Sequence, residues 1–567
     1  MKMENRMKIR INEIKFDLEE TFTEEAIRNK ICRKTKLLPE QITSIEIMRE
    51  SIDARKGIVF SYVVDIETTK SKILIKNGFM LAPDSFVSID VIKHTQLSNL
   101  DKSRSLRPVI VGFGPAGIFA ALQLAKAGLN PIILEMGADV ESRKEDVALF
   151  WKEGKLKPDS NVQFGEGGAG AFSDGKLTTR IKDQRIEFVM KNLVEAGAPV
   201  EIMYKNKPHI GTDILCDVVK HLRQQIISLG GEVRFNTKVV DFEANPSDQT
   251  TNIICENGDV LTTKHVVLAI GHSARFLYEK LKKHHVAMEQ KPFAMGVRIE
   301  HPQVLINAAQ FGSAHKSQKL GAAEYKLTYS ASNKRSVYSF CMCPGGLVVG
   351  SASEENRLVV NGMSFHARDL ANANSALLVN IMPEDFGDDD VLAGIALQRN
   401  LEEKAYHLGG GNYTAPIQTL DSFYSDVEAY QRDASRRNEH NIGFYTKYGI
   451  SFEKEMSQYL PSYLPQTKFE DLRTILPSFM VKALQEAIQY FGKQIPGYDD
   501  PRIVLTGIES RSSSPVRLVR DSTQLNSISH SNIYPCGEGA GYAGGITSSA
   551  VDGVKVAECI INQILGE

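Results

Sequence analysis

An α/β chain is predicted, built on a Rossmann-type parallel-sheet domain that a mixed α+β block interrupts and a small α+β module precedes. Three observations predict it. A strand–glycine turn–helix–strand unit fills residues 109–135. Two further apolar stretches end in glycine, at 265–271 and 533–545. The 200-odd residues between them carry no such turn. At 567 residues the chain exceeds what one hydrophobic core supports, so several domains are expected.

Residues 1–98 read as the small module. Residues 8–14 alternate like a half-buried strand, Thr23 with Glu24 and Glu25 opens a helix, and 42–48 and 58–66 are two further strands. The polar, proline-ended stretch 99–108 is the linker. Val109, Ile110 and Val111 then form a buried-type strand, and 118–128 a helix stopped by Gly128. A second strand at 131–135 completes a βαβ unit. Thr212 and Asp213 offer an N-cap to a helix whose apolar residues (Leu215, Val218, Val219, Leu222, Ile226) recur at helical spacing. Strands are expected at 232–240, 252–256 and 265–270. After the mixed block come a strand at 502–505, a glycine-rich run at 537–545 and a closing helix at 546–564. The expected division is therefore 1–98, then 106–292 with 501–567 as one domain, and 293–500 as an inserted domain.

Composition narrows the function. Hydrophobic residues are 42% and charged residues 24%, and 67 Lys plus Arg against 69 Asp plus Glu leave a net charge of −2. No basic excess points to nucleic acid or an anionic membrane. No apolar run reaches the roughly 18 residues of a spanning helix, and the first residues lack the apolar core of a secretory signal. Seven scattered cysteines match no disulfide or zinc framework. A soluble, cytoplasmic chain is expected, with no metal constellation; the adjacent pair His284 and His285 diverges on either a helix or a strand.

The strongest motif is Gly112-x-Gly114-x-x-Gly117 between strand and helix. Gly112 permits the tight turn, Gly114 (followed by Pro115 and Ala116) lets backbone approach a diphosphate, and Gly117 lets the helix pack close. The helix N-terminus then offers N–H groups and positive dipole to the phosphates. Glu135, at the end of the second strand, is placed to accept from ribose hydroxyls and to repel a 2′-phosphate. Gly165-Glu-Gly167-Gly168-Ala-Gly170 satisfies the same pattern but follows a polar segment and enters no helix. It is expected as a loop, one whose glycines let backbone pass close to a planar ligand or diphosphate.

The segment 265–271, ending in Gly271, resembles the second chain crossing of glutathione-reductase-type flavoproteins. Residues 533–553, with Gly537, Glu538, Gly545 and Ile546, resemble their C-terminal flavin motif, with Glu538 standing where that motif carries Asp. The long segments 161–177, 207–213, 269–275, 340–346, 361–368, 509–521 and 534–553 together resemble the bacterial FAD-dependent dehydrogenases often labelled NAD(FAD)-utilising dehydrogenases. The resemblance spans essentially the whole chain. It implies a glutathione-reductase-like FAD domain interrupted by a substrate domain, as in relatives of para-hydroxybenzoate hydroxylase. It also implies non-covalent FAD, contacts at Val239 as well as at the glycines above, and an oxidoreductase acting on a small organic molecule. No second strand-anchored glycine motif exists, so NAD(P)H is expected to bind transiently in the cleft.

Candidate chemistry lies in Cys341 and Cys343, a redox pair or reduced packing thiols, and in His209 as proton donor beside Lys207. Arg511 and Arg517 are candidate anchors for a carboxylate substrate or the diphosphate, with Lys176, Arg180 and Arg298 as further anion contacts. Two alternatives stand beside a dehydrogenase: a flavin monooxygenase, and a flavin-bearing binding protein whose N-terminal module docks a partner through Arg49, Arg55 and Lys56.

Overall fold

The computed structural model describes residues 7–55, 57–99, 106–245 and 247–566. Lys56 and most of the expected linker, 100–105, lie outside the described residues.

The N-terminal module is a four-stranded antiparallel sheet. Its strands are β1 (Lys8–Asp17), β2 (Ile42–Asp53), β3 (Val59–Thr68) and β4 (Met80–Leu81), in the order β2-β3-β1-β4. Ile9, Ile11, Ile14 and Phe16 of β1 face Ile27 and Ile31 of helix α1 (Glu24–Thr35) in one core. Thr23 caps α1 as expected, accepting from the Ala26 N–H. The free edge of β2 continues onto the next domain: Glu50 N–H donates to the Tyr204 carbonyl (2.7 Å) and Asn206 N–H to the Glu50 carbonyl (2.8 Å).

The module ends earlier than the sequence suggests. Ile89 and Leu97 are buried in the core of the following domain, and Ser88 Oγ bonds Gln123 there (3.0 Å). A deletion through residue 98 removes these two anchors, each worth about 1.5–3 kcal/mol of burial. It is expected to lower the thermal midpoint of the remainder, whereas deletion through residue 82 leaves the anchors in place and costs less. Equal melting of the two truncations would refute this.

The second domain holds a five-stranded parallel sheet. Strands β5 (Val109–Val111), β6 (Ile132–Leu134), β7 (Glu232–Arg234), β8 (Val266–Leu268) and β9 (Ile533–Pro535) run in the order β9-β8-β5-β6-β7. Against it pack α2 (Pro115–Lys126), α3 (Val140–Glu153), α4 (Thr212–Ser228) and α5 (Ile546–Leu565). Helix α2 is buried all round from Ala116 to Ala125, which its near-continuous apolar sequence requires. A Cβ on Gly117 would stand 2.0 Å from the Gly112 carbonyl oxygen, so the helix can sit this close to the turn only with glycine there. The stretch 232–240, read as one strand, is two: β7 joins the parallel sheet, and Val239–Asn245 opens a separate three-stranded antiparallel sheet. Asn236 between them takes φ +51, in the left-handed region Asn tolerates, and turns the chain from one sheet to the other.

The inserted block forms a seven-stranded sheet in the order Thr328–Ser330, Ser336–Cys343, Asn372–Ile381, Phe293–Pro302, Val504–Glu509, Ala415–Thr419, Thr467–Phe469. The strand expected to begin the return of the first domain, Val504–Glu509, belongs to this sheet instead. It is fully buried and hydrogen-bonds antiparallel to both Phe293–Pro302 and Ala415–Thr419. The chain recrosses only beyond Glu509. Among the described residues no helix is long and apolar enough to cross a membrane.

Candidate active site

A cavity opens between the parallel sheet and the inserted sheet. On one side it is walled by 112–116 of the β5–α2 turn, 168–170 of the glycine-rich loop, 269–273 beyond β8, and 544–546 at the start of α5. On the other side stand Phe340, Cys341, Cys343, Asn361, Gly362, Glu509 and Ser512. Two helices therefore begin on the same space. Neither α2, after Gly114, nor α5, after Gly545, has a side-chain cap. Their first-turn N–H groups and dipoles are left for a ligand carrying negative charge at two separated places.

The glycines keep that space open. Gly112 takes φ +100, and a Cβ there would lie 2.4 Å from the Ala269 carbonyl oxygen. A Cβ on Gly114 would reach the Gly168 Cα at 3.7 Å, so the turn and the glycine-rich loop face each other backbone to backbone. At Gly544 and Gly545 a Cβ would meet nothing within 4 Å.

Buried side chains hold each wall. Arg143 of α3 is fully buried and donates to five carbonyl oxygens: Asn161 (2.8 Å), Val162 (3.0 Å), Gly165 (3.2 Å), Glu166 (2.6 Å) and Gly168 (2.9 Å). It is the template on which the loop is wound. Burial pulls its guanidinium down to about 10, still charged at neutral pH. Glu135 accepts from the N–H groups of Phe113 (2.8 Å), Gly137 (2.9 Å) and Gly165 (2.9 Å). A carboxylate offers about four acceptor positions, so one remains toward the cavity it lines. At the α5 end, Asp552 accepts from Gly537 N–H (2.7 Å) and binds both ends of the Arg520 guanidinium, which stacks 3.9 Å over Tyr542. This fixes the 537–545 run. Glu538 lines the cavity 3.2 Å from His272 Nδ1, and His272 Nε2 is buried without a partner.

The structure brings together around this one cavity Gly112, Gly114, Pro115, Ala116, Glu135, Gly168, Gly271, Glu538, Gly545, Ile546, Cys341, Cys343 and Arg511. Others it places elsewhere. Gly117 lies inside α2, while Gly165 and Gly167 lie behind the wall, Gly165 against the Arg143 side chain. Val239 is packed in the apolar core under β8. His209 is off the wall, its Nε2 3.0 Å from the His366 carbonyl and its ring stacked on His366. Burial pulls its imidazole down to about 4, so it holds no acidic proton at neutral pH. Lys207 is paired with Glu324 (2.6 Å).

The expected cationic anchors are also committed. Arg511 holds Glu402 with Nε (3.1 Å) and Nη2 (2.9 Å), and its Nη1 bonds Ser273 and Ser353. Lys176 pairs with Glu324 (3.2 Å) and donates to the Met342 carbonyl. Arg298 is fully buried, and Arg517 pairs with Glu289 (3.0 Å). The cysteines are free thiols. Cys341 sits at a bulge of its strand with φ +41, which turns it toward the cavity, and Cys343 Sγ lies 3.2 Å from the Cys341 carbonyl. Burial pushes the Cys343 thiol up to about 11, so it is a protonated thiol rather than a nucleophilic thiolate, while Cys341 is exposed on the cavity side.

Sequence reasoning passed over Arg143, Glu402, Asp552 and Glu509. For Arg143 a signal existed: Val140, Arg143, Val147 and Phe150 are the buried stripe of α3, and a charge at a stripe position must find partners inside.

Residues 292–445 and 444–512 match the family described as FAD-dependent protein, C-terminal domain-like, and residues 8–67 match a domain of unknown function. An uncharacterised protein of Clostridium beijerinckii is 49% identical over 561 residues, which cover 98% of this chain and 99% of that protein. Among solved structures, a thioredoxin reductase of Lactococcus lactis aligns at TM-score 0.17 and 16% identity, over 30% of this chain and 36% of that one. A halogenase, PltM, solved in complex with FAD aligns at TM-score 0.29 and 12% identity, over 53% and 57%. The chain spans between about a third and three fifths of these two structures, and likenesses this partial assign no activity.

Proposed function

Because this chain belongs to one family with the Clostridium beijerinckii protein and carries the C-terminal domain of FAD-dependent proteins, we propose that it holds FAD non-covalently and is an oxidoreductase acting on a small organic molecule. The observation that carries this reading is the pair of uncapped helix starts, α2 and α5, opening on one glycine-walled cavity.

The N–H groups at the start of α2 suit a diphosphate, and Gly112 and Gly114 remove the side chains that would block it. The remaining acceptor position of Glu135 suits a ribose hydroxyl. The start of α5 suits the pyrimidine edge of a flavin, where negative charge collects on reduction. Bound there, the flavin supplies two-electron hydride transfer. The chain supplies the rest: Arg143 and Asp552 hold the two glycine-rich walls, and the Phe340–Ser512 side shields the reacting space from bulk water. An electron donor of the nicotinamide class would enter transiently through the same cavity.

Purified protein is expected to be yellow, with absorbance near ~450 nm. Anaerobic addition of NADH or NADPH is expected to bleach it. Colourless protein that does not take up FAD would overturn the assignment, and bleaching by one nicotinamide alone would identify the donor.

A further inference from the structure

Glu509 has no place in the binding scheme above, yet it is a carboxyl group on the wall of the cavity, only 4% exposed. Its nearest partner is Arg298, fully buried, with Nη1 3.1 Å from Oε2. That guanidinium is aimed elsewhere. Nη1 donates to Asn361 Oδ1 (3.1 Å), and Nη2 donates to the Cys341 carbonyl (2.7 Å). Glu509 Oε2 therefore has a charge beside it but receives no hydrogen bond, and Arg298 Nε and both amide atoms of Asn374 nearby are also buried without partners. A buried carboxyl left unbonded at a cavity wall is a costly arrangement for stability alone.

The groups facing Glu509 are few. Phe293–Pro302 contributes Arg298, Ser336–Cys343 contributes the two thiols Cys341 and Cys343, and Val360–Ser364 contributes the uncharged Asn361 and Gly362. Arg511, two residues on, is neutralised by Glu402. Lys176, which also lines the cavity, is paired with Glu324. Among the described residues no unpaired cation stands on this side, so the wall suits an uncharged molecule rather than a carboxylate.

We propose that Glu509 is the proton-exchanging residue of the cavity, and that the molecule it serves is an uncharged carbonyl or imine compound. The inference rests on the flavin reading given above. In the reducing direction a bound flavin, reduced by a nicotinamide, would supply the hydride that forms a new C–H bond at the carbonyl carbon. The C=O π pair takes the proton from the Glu509 O–H, whose bonding pair stays behind as carboxylate beside Arg298. In the oxidising direction the carboxylate takes the proton back. Desolvation, only partly offset by Arg298, pushes Glu509 up to about 7, so both forms are populated near neutral pH.

Two measurements test it. Infrared difference spectra of wild type against Glu509→Gln are expected to show a carboxylic-acid carbonyl band that titrates away near pH 7, with or without flavin bound. Photoreduced holoenzyme mixed with benzaldehyde, an uncharged carbonyl compound, is expected to reoxidise more slowly as pH rises through the same value. Glu509→Gln should keep its flavin absorbance, slow reoxidation by about 10²-fold, and flatten the pH profile; Glu509→Asp should restore the falling limb. Absence of the infrared band, or a Glu509→Gln profile like that of wild type, overturns the proposal while leaving the flavin reading intact. Wild type that takes up no FAD overturns the flavin reading itself, whatever the band shows.

Discussion

Replacing Glu402 by Ala is expected to destabilise the protein by about 3–5 kcal/mol, because it leaves two buried guanidinium groups without their shared counter-ion. Glu402 is fully buried on the helix Ala393–Leu408 of the inserted domain. Its two oxygens accept from Arg275 (2.7 and 2.8 Å), Arg511 (2.9 and 3.1 Å) and Ser510 (2.6 Å). Arg275 opens the helix that follows β8, and Arg511 lies where the chain recrosses between domains. One carboxylate thus clasps three passages of chain behind the cavity. Glu354 reaches Arg275 (2.7 Å) and is more distant from Arg511 (3.6 Å), so it cannot replace Glu402 for both. Glu402→Gln keeps one acceptor oxygen but turns an NH₂ toward a guanidinium, and is expected to lose nearly as much.

The same clasp sets an acid limit. The two arginines hold the Glu402 carboxyl well below the usual carboxylate range. A depressed folded pKa means that the stabilisation is fully present above the unfolded value of about 4.3 and is lost as pH falls toward the folded one. Wild type should therefore lose stability below about pH 4, and Glu402→Gln should lack that part of the decline. Urea midpoints measured from pH 3 to pH 7 check both statements. A variant with the wild-type midpoint at pH 7 would show that the arginines find other partners.

These contrasts explain what was legible beforehand. The β5–α2–β6 unit could be read because Gly112, Gly114 and Gly117 are required by local geometry, and local geometry is written in consecutive residues. The α5 start was readable for the same reason. The strand expected at 502–505 in the first domain falls instead in the inserted sheet, as Val504–Glu509, because strand membership depends on partners some 90 to 200 residues away, and its apolar run fits either sheet. Arg511 was read as an anchor for a ligand because a sequence cannot show that Glu402, 109 residues earlier, already occupies it. His209 failed in a similar way: its burial and its contact with His366 belong to the interface between domains. Side chains that touch neighbours in sequence could be read, and those that close long loops could not.

Arg143 lies on that second side, and its replacement by Met is expected to abolish FAD retention and to cost several kcal/mol of stability. Met fills the space of the aliphatic stem but ends two bonds short of the terminal guanidinium nitrogens, so the loss is chiefly of donors. Five carbonyls between Asn161 and Gly168 lose the arginine at once; four of these bonds are buried and the Gly165 carbonyl keeps only the Gly168 N–H, and each group left unsatisfied costs about 1–3 kcal/mol. Part of that sum is offset because a buried cation is no longer desolvated, which its lowered pKa of about 10 registers. The balance falls on the glycine-rich loop. Gly168 would no longer be held opposite Gly114, and Gly165, which donates to Glu135, would be free to leave it. Arg143→Lys retains charge but has three donors where five bonds are made, so it should recover stability only in part. Gly165→Ala tests the same joint from the other side: its Cβ would stand 2.4 Å from Arg143 Cδ at φ +118, forcing either the arginine or the loop to move. Flavin absorbance relative to protein absorbance after gel filtration, read alongside the thermal midpoint, separates the two effects. If Arg143→Met keeps both at wild-type values, the loop is wound by its own backbone, and the arginine is merely enclosed by it.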